Sequence, residues 1–155
     1  MIKSVAVVGA ILSYSLWMSD NFSYKEFVHS DTANRYGILN EPEPYHIENG
    51  KALFSNVLQP IRDKFGRTIV TSGYRNEQLN RLVKGVDNSQ HMNGEAVDFY
   101  VPGYSLKQVC EWIDKNLEYD QLILEPSWIH VSYSKSHNRK EFLVYKKGKL
   151  VSFYK

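Results

Sequence analysis

Few side chains in this 155-residue chain can do chemistry, and three of them fall in two short stretches. His91 and Asp98 lie in Ser89-Gln90-His91-Met92-Asn93-Gly94-Glu95-Ala96-Val97-Asp98, and His130 lies in Trp128-Ile129-His130-Val131-Ser132. Gly94 permits a tight turn between the histidine and the strand that carries the aspartate, so both side chains can fold toward one point. Ala96 to Val101 alternates as a strand, with Val97, Phe99 and Val101 on one face and Asp98 on the other. The same alternation sets His130 opposite Ile129 and Val131. A carboxylate and an imidazole, each held between large apolar neighbours, must share a polar face that is costly to bury without compensation. A divalent cation compensates both. Two histidines and an aspartate, with a fourth position left to water, suit a hydrolytic zinc site. Taken singly, a strand histidine is more often a hydrogen-bonded structural residue and a strand aspartate an edge feature, so the expectation rests on the combination.

The elements that must position these residues follow from period and punctuation. Ser23-Tyr24-Lys25-Glu26 reads as a capping box opening a short helix to about Val28. A loop follows, and Tyr36 to Asn49, with Gly37, Pro42 and Pro44 and no sustained period, reads as irregular. From Asn49, Leu53, Phe54, Val57, Leu58, Ile61 and Phe65 recur at helical spacing up to Gly66, which predicts the main core helix with a kink or early break at Pro60. Arg67 to Ser72 reads as a β-branched strand ending at Gly73, and Asn76 as the cap of a helix through Val83 that closes at Gly85. Pro102-Gly103 stops the Asp98 strand; Ser105 and Gln108 then match a second capping box, opening a helix whose stripe is Leu106, Val109, Trp112, Ile113 and Leu117. Asp120 to Leu124, Trp128 to Tyr133, Phe142 to Lys146 and Leu150 to Tyr154 are further strands, the last two joined at Lys147-Gly148-Lys149. Helices mixed with antiparallel strands predict the α+β class: a single domain with a central, mainly antiparallel sheet packed by helices.

Composition narrows the function classes. A length of 155 residues fits one hydrophobic core, and 43% hydrophobic with 23% charged residues argues against both disorder and a multi-span membrane protein. A net charge of +2 with scattered basic residues offers no phosphate-tracking stripe, so nucleic acid is not an expected partner. Lys146, Lys147 and Lys149 read as a solvated hairpin tip. Cys110, the single cysteine, excludes an internal disulfide and a multi-cysteine zinc site, and its place beside Val109 marks a small core residue. Ser4 to Ser19 carry no charge, follow Lys3 and contain the apolar run Val5 to Leu12. That segment has the length and basic flank of a secretion signal or signal-anchor, with an ordered first strand or arm as the competing expectation. Residues 1–19 are therefore set apart from a domain over 20–155, any membrane contact is expected through that segment alone, and a monomer is the expected state.

Thr71-Ser72-Gly73-Tyr74-Arg75, then Ser89-Gln90-His91 through Gly94 and Ala96 to Asp98, then Trp128-Ile129-His130 occur in an order and spacing that resemble a known family. It is the zinc D-alanyl-D-alanine carboxypeptidase and peptidoglycan endopeptidase family, which includes the VanX and VanY vancomycin-resistance enzymes and many phage endolysins. Asn21 to Phe27 and Asp120 to Glu125 are similar to its small phage and prophage branch, so the likeness runs over about residues 21–139. The resemblance implies a hedgehog/DD-peptidase-like fold and one zinc ion per chain, held by His91, Asp98 and His130. It further implies hydrolysis of a peptide bond in peptidoglycan stem peptides or cross-links, by a protein exported to the periplasm or cell wall or phage-encoded and acting on a host wall. Arg75 would contact the substrate and stabilise its developing oxyanion, for which a permanently charged, multi-donor guanidinium is suited; without the likeness, a surface salt bridge is the plainer reading.

One departure from the family pattern bears on catalysis. Many members place the general-base carboxylate three residues before the second histidine, where this chain has Ser127. Glu125 is the nearest carboxylate, but on an unbroken strand its five-residue offset from His130 turns it to the wrong face, so a bend at Pro126-Ser127 must return it. Glu125 is preferred as the base over Asp120 and Glu95. Ser127 keeps open a non-catalytic wall-binding or phage-tail module that retains a structural zinc, while a hedgehog-type signalling domain has only the metal motif in its favour. His29, His46 and His137 match no ligand position and read as surface or loop residues. Ser132, Asn138 and Arg139 follow the metal strand closely enough to line the cleft, with solvated loop as the plainer reading.

Overall fold

The computed structural model describes residues 17–154, so the signal-or-arm expectation lies largely outside the described residues. Strand β1 (Trp17–Ser19) pairs antiparallel with β2 (Phe22–Ser23). Ser23 then caps α1 (Tyr24–Val28): its Oγ accepts from the Glu26 N–H at 3.3 Å while Glu26 Oε2 accepts from the Ser23 N–H at 2.7 Å, the reciprocal box expected from the sequence. The following stretch is not all loop, because Ser30 caps a short helix, α2 (Asp31–Arg35).

The region expected to be irregular, Tyr36 to Asn49, is helical from Pro44 onward as the start of α3 (Pro44–Leu53). Proline argued for a loop, yet at the first helical position its missing N–H leaves nothing unsatisfied and its fixed φ suits the helix. The Glu43 N–H donates to His46 Nδ1 at 2.9 Å and closes this end. The rod continues through a π-helical turn (Phe54–Leu58) into α4 (Gln59–Phe65). Pro60 has no N–H to give and its ring crowds the carbonyl four residues back; the Gln59 N–H reaches instead to the Phe54 carbonyl, five residues back. The expected kink is thus taken up as a widened turn rather than a break.

Six strands form the main sheet: β3 (Ile69–Ser72), β4 (Ala96–Tyr100), β5 (Gln121–Leu124), β6 (Ile129–Ser132), β7 (Glu141–Lys146) and β8 (Lys149–Ser152), in the order β3-β4-β6-β5-β7-β8. Every pair is antiparallel except β5 with β7. Between them lie α5 (Glu77–Leu82), capped by Asn76, and α6 (Leu106–Asn116), whose cap Ser105 accepts from the Gln108 N–H. Lys147 and Gly148 both have positive φ, the two-residue turn that matches strand twist, and their tip is solvated as expected. The result is an α+β domain with a mainly antiparallel sheet packed by helices.

In its main core cluster Leu53, Phe54, Val57, Leu58 and Ile61 of the rod meet Val97, Phe99, Ile129 and Val131 of the sheet, with Val109, Cys110 and Ile113 of α6. Each such large side chain stabilises the fold by roughly 1.5–3 kcal/mol. Because Val97, Phe99, Ile129 and Val131 take the apolar face, strand alternation turns Asp98 and His130 to the other. Among the described residues no helix is long and apolar enough to cross a membrane.

Candidate metal centre

Asp98 and His130 are direct cross-strand partners between β4 and β6, so their side chains leave the sheet side by side. His91 comes from a 3-10 turn (Gln90–Asn93) that Ser89 caps and Gly94 ends in the left-handed conformation. A Cβ at Gly94 would stand 2.4 Å from the His46 carbonyl oxygen, so the turn sits hard against α3. His130 Nδ1 lies 3.0 Å and His91 Nε2 3.3 Å from Asp98 Oδ1. Among the described residues these three form the group whose ligand atoms gather, all within 4.8 Å of one another.

The second nitrogen of His91 decides its chemistry. Burial pushes the His91 pKa down despite Asp98 beside it, which favours the neutral ring. Nδ1 lies 2.7 Å from the Gly73 carbonyl, which can only accept, so in that neutral ring Nδ1 carries the hydrogen and Nε2 presents its lone pair to the centre. Burial alone would raise the Asp98 carboxyl, but the His91 and His130 imidazoles outweigh it and hold Asp98 well below the usual carboxylate range. Two imidazoles and an ionised carboxylate, one imidazole already oriented by a backbone carbonyl, fit a zinc ion.

Arg75 stands against the same carboxylate. Its Nη2 donates to Asp98 Oδ2 at 3.3 Å, its Nε to Ser72 Oγ at 3.1 Å and its Nη1 to Asn80 Oδ1 at 3.3 Å. This is a largely buried ion pair, not a surface one, and it leaves two of the five guanidinium N–H groups for another partner.

Glu125 reaches the site by a hairpin. Ile123 pairs with His130, and the Glu125 N–H bonds the Trp128 carbonyl, so the chain reverses across Pro126-Ser127. Residues opposite one another in an antiparallel pair share a face, which returns Glu125 to the side of His130. Burial raises its pKa, His130 pulls it down and Asp98 pushes it up again, so its carboxylate feels both ligand candidates.

Residues 20–132 match the family described as Peptidase M15, a span containing Arg75, His91, Asp98, Glu125 and His130. The chain belongs to the peptidase M15 family. Membership supports a metallopeptidase, and the gathered His91, Asp98 and His130 form a group that could hold a metal ion. No curated protein matches the chain.

Several residues around this M15 centre escaped the sequence reading. His46 is not a surface or loop residue: it is buried in α3 and packs on Tyr74 with ring centroids 4.7 Å apart. Its signal was helical placement after Pro44, hidden when that stretch read as irregular. Ser132 is wholly buried, its Oγ accepting from the Gln121 N–H, so it does not line a cleft. Asn138 braces its own loop through Ser134, and Arg139 grips Asp120. The Gly73 carbonyl and Asn80 carry no chemical signal of their own; only the Gly-Tyr-Arg motif pointed near them.

Proposed function

We propose that this M15 peptidase is a zinc enzyme that hydrolyses a peptide bond in bacterial peptidoglycan, acting on stem peptides or cross-links outside the cytoplasmic membrane. The observation that carries the reading is the convergence of His91 Nε2, Asp98 Oδ1 and His130 Nδ1, with Glu125 turned to the same face. His91, Asp98 and His130 would hold the ion, which when bound would supply a Lewis acid to acidify water and polarise a carbonyl. Glu125 takes the proton of the attacking water and returns it to the leaving amine, a role its burial-raised pKa favours. Arg75 braces Asp98 through its hydrogen bond to Oδ2, and its two remaining N–H groups are donors for the oxyanion that develops on the scissile carbonyl.

Ser127 favours a second reading, a wall-binding module with a closed, structural zinc site. Digestion of purified sacculi separates the two. Mass spectrometry should find new peptide termini, their chemistry naming the bond cut, and a chelator should suppress them until zinc is restored. Unchanged muropeptides from zinc-loaded protein would instead leave only the binding module.

A further inference from the structure

Asp120 is 4% exposed, yet the reaction above gives its carboxylate no task. Both oxygens are occupied. Oδ1 accepts from the Arg139 backbone N–H at 2.9 Å and from Arg139 Nε at 3.0 Å; Oδ2 accepts from Arg139 Nη2 at 2.8 Å and from Gln90 Nε2 at 2.9 Å. The main chain is equally fixed, with the Asp120 N–H on the Ser132 carbonyl at 2.8 Å and the Glu141 N–H on the Asp120 carbonyl at 3.0 Å. Asp120 is thus a rigid point of the sheet, standing where β5, β6 and β7 meet.

What it holds is the turn that carries His91. Gln90 opens that turn, and its carbonyl accepts from the Glu95 N–H at 3.0 Å, so the residue before the imidazole is gripped by main chain and side chain together. Arg139, on the other arm, lies seven residues beyond the strand that carries His130. One carboxylate therefore ties the His91 turn to the segment that follows the His130 strand. Charge-assisted bonds to a buried carboxylate are short and directional, and groups that aim a metal ligand without touching the ion commonly set affinity by 10–100-fold.

We propose that Asp120 is a positioning residue for the metal centre, acting on His91 through Gln90. This rests on the zinc reading above. The test uses the full chain with Gln90→Met, which keeps length but loses the donor and leaves the Asp120–Arg139 pair intact, alongside Asp120→Asn and the double variant. Zinc dissociation constants come from competition with a chromophoric chelator, at a temperature where circular dichroism shows each metal-free protein folded. Gln90→Met is expected to weaken zinc about 10-fold or more, with the double variant no weaker than the weaker-binding single, since both remove one link. A wild-type zinc affinity in Gln90→Met, whatever its melting temperature, would make the Asp120 network purely structural and overturn the proposal. Should Asp120→Asn fail to fold, Gln90→Met alone decides. Failure of the wild-type chain to bind zinc would overturn the metal reading itself.

Discussion

His91 enters the centre neutral because burial lowers its pKa, and the Gly73 carbonyl then decides that the hydrogen of the neutral ring sits on Nδ1. Neutrality has a measurable sign in the metal-free protein. His91 is lowered from the ordinary 6.5, His46 likewise by burial, and Asp98 lies below its ordinary 3.8. All three bind fewer protons folded than unfolded, so stability rises with pH across these ranges. The histidine contribution is complete above 6.5 and is lost as pH falls below it, and the Asp98 contribution goes below 3.8. Urea midpoints of metal-free protein should therefore drop between about pH 7 and about pH 5.5; a flat or rising midpoint would contradict the neutral, buried histidine. Glu125→Gln should lower turnover by about 10²–10⁴-fold while zinc content stays unchanged, and an unaffected rate would remove Glu125 from the reaction. The ligand candidates were legible because Asp98 and His130 each sit between apolar residues that must face the core. The bend that returns Glu125 was legible in Pro126, but the face it gives that residue depends on the Ile123–His130 register, a pairing between strands that no local pattern encodes.

At the scale of elements, the turn between His91 and Asp98 is tightly constrained. Gly94 has φ +77°, and an added Cβ would meet backbone, the His46 carbonyl, rather than a side chain that could move. Gly94→Ala is expected to cost at least about 1–3 kcal/mol for the left-handed conformation and to weaken zinc binding as the turn shifts. Chemical denaturation and chelator competition check both, and a variant as stable as the parent would mean that the turn is free to relax. Caps and tight turns were readable because their chemistry is local: the Ser23–Glu26 box, the Asn76 cap and the Lys147-Gly148 hairpin all form where expected. The start of α3 was missed because Pro44 serves a loop and a first helical turn equally well. Pro60 signalled a disturbance of the rod but not its form, a π turn that relaxes the strain, and the parallel pairing of β5 with β7 is a long-range choice with no signal in the residues themselves.

For the whole molecule, fold and metal are linked. The apolar face of the sheet is packed by the rod and α6, leaving the polar face to gather His91, Asp98 and His130 from a turn and two strands. An ion held only by the folded chain stabilises it by mass action, about 2.7 kcal/mol at 100 times its dissociation constant. Zinc should therefore raise the melting temperature by about 5–10 °C, and a chelator should reverse the gain. The fold class was legible at this scale because periodicity, caps and turn residues agreed along most of the chain, whereas the strand order was not. The most direct test of the account is the zinc content of purified protein by elemental analysis, compared with His91→Ala and His130→Ala. About one ion per chain is expected in the parent, with tight binding lost in both variants. A parent without zinc, or variants that retain it in full, would contradict the centre described above.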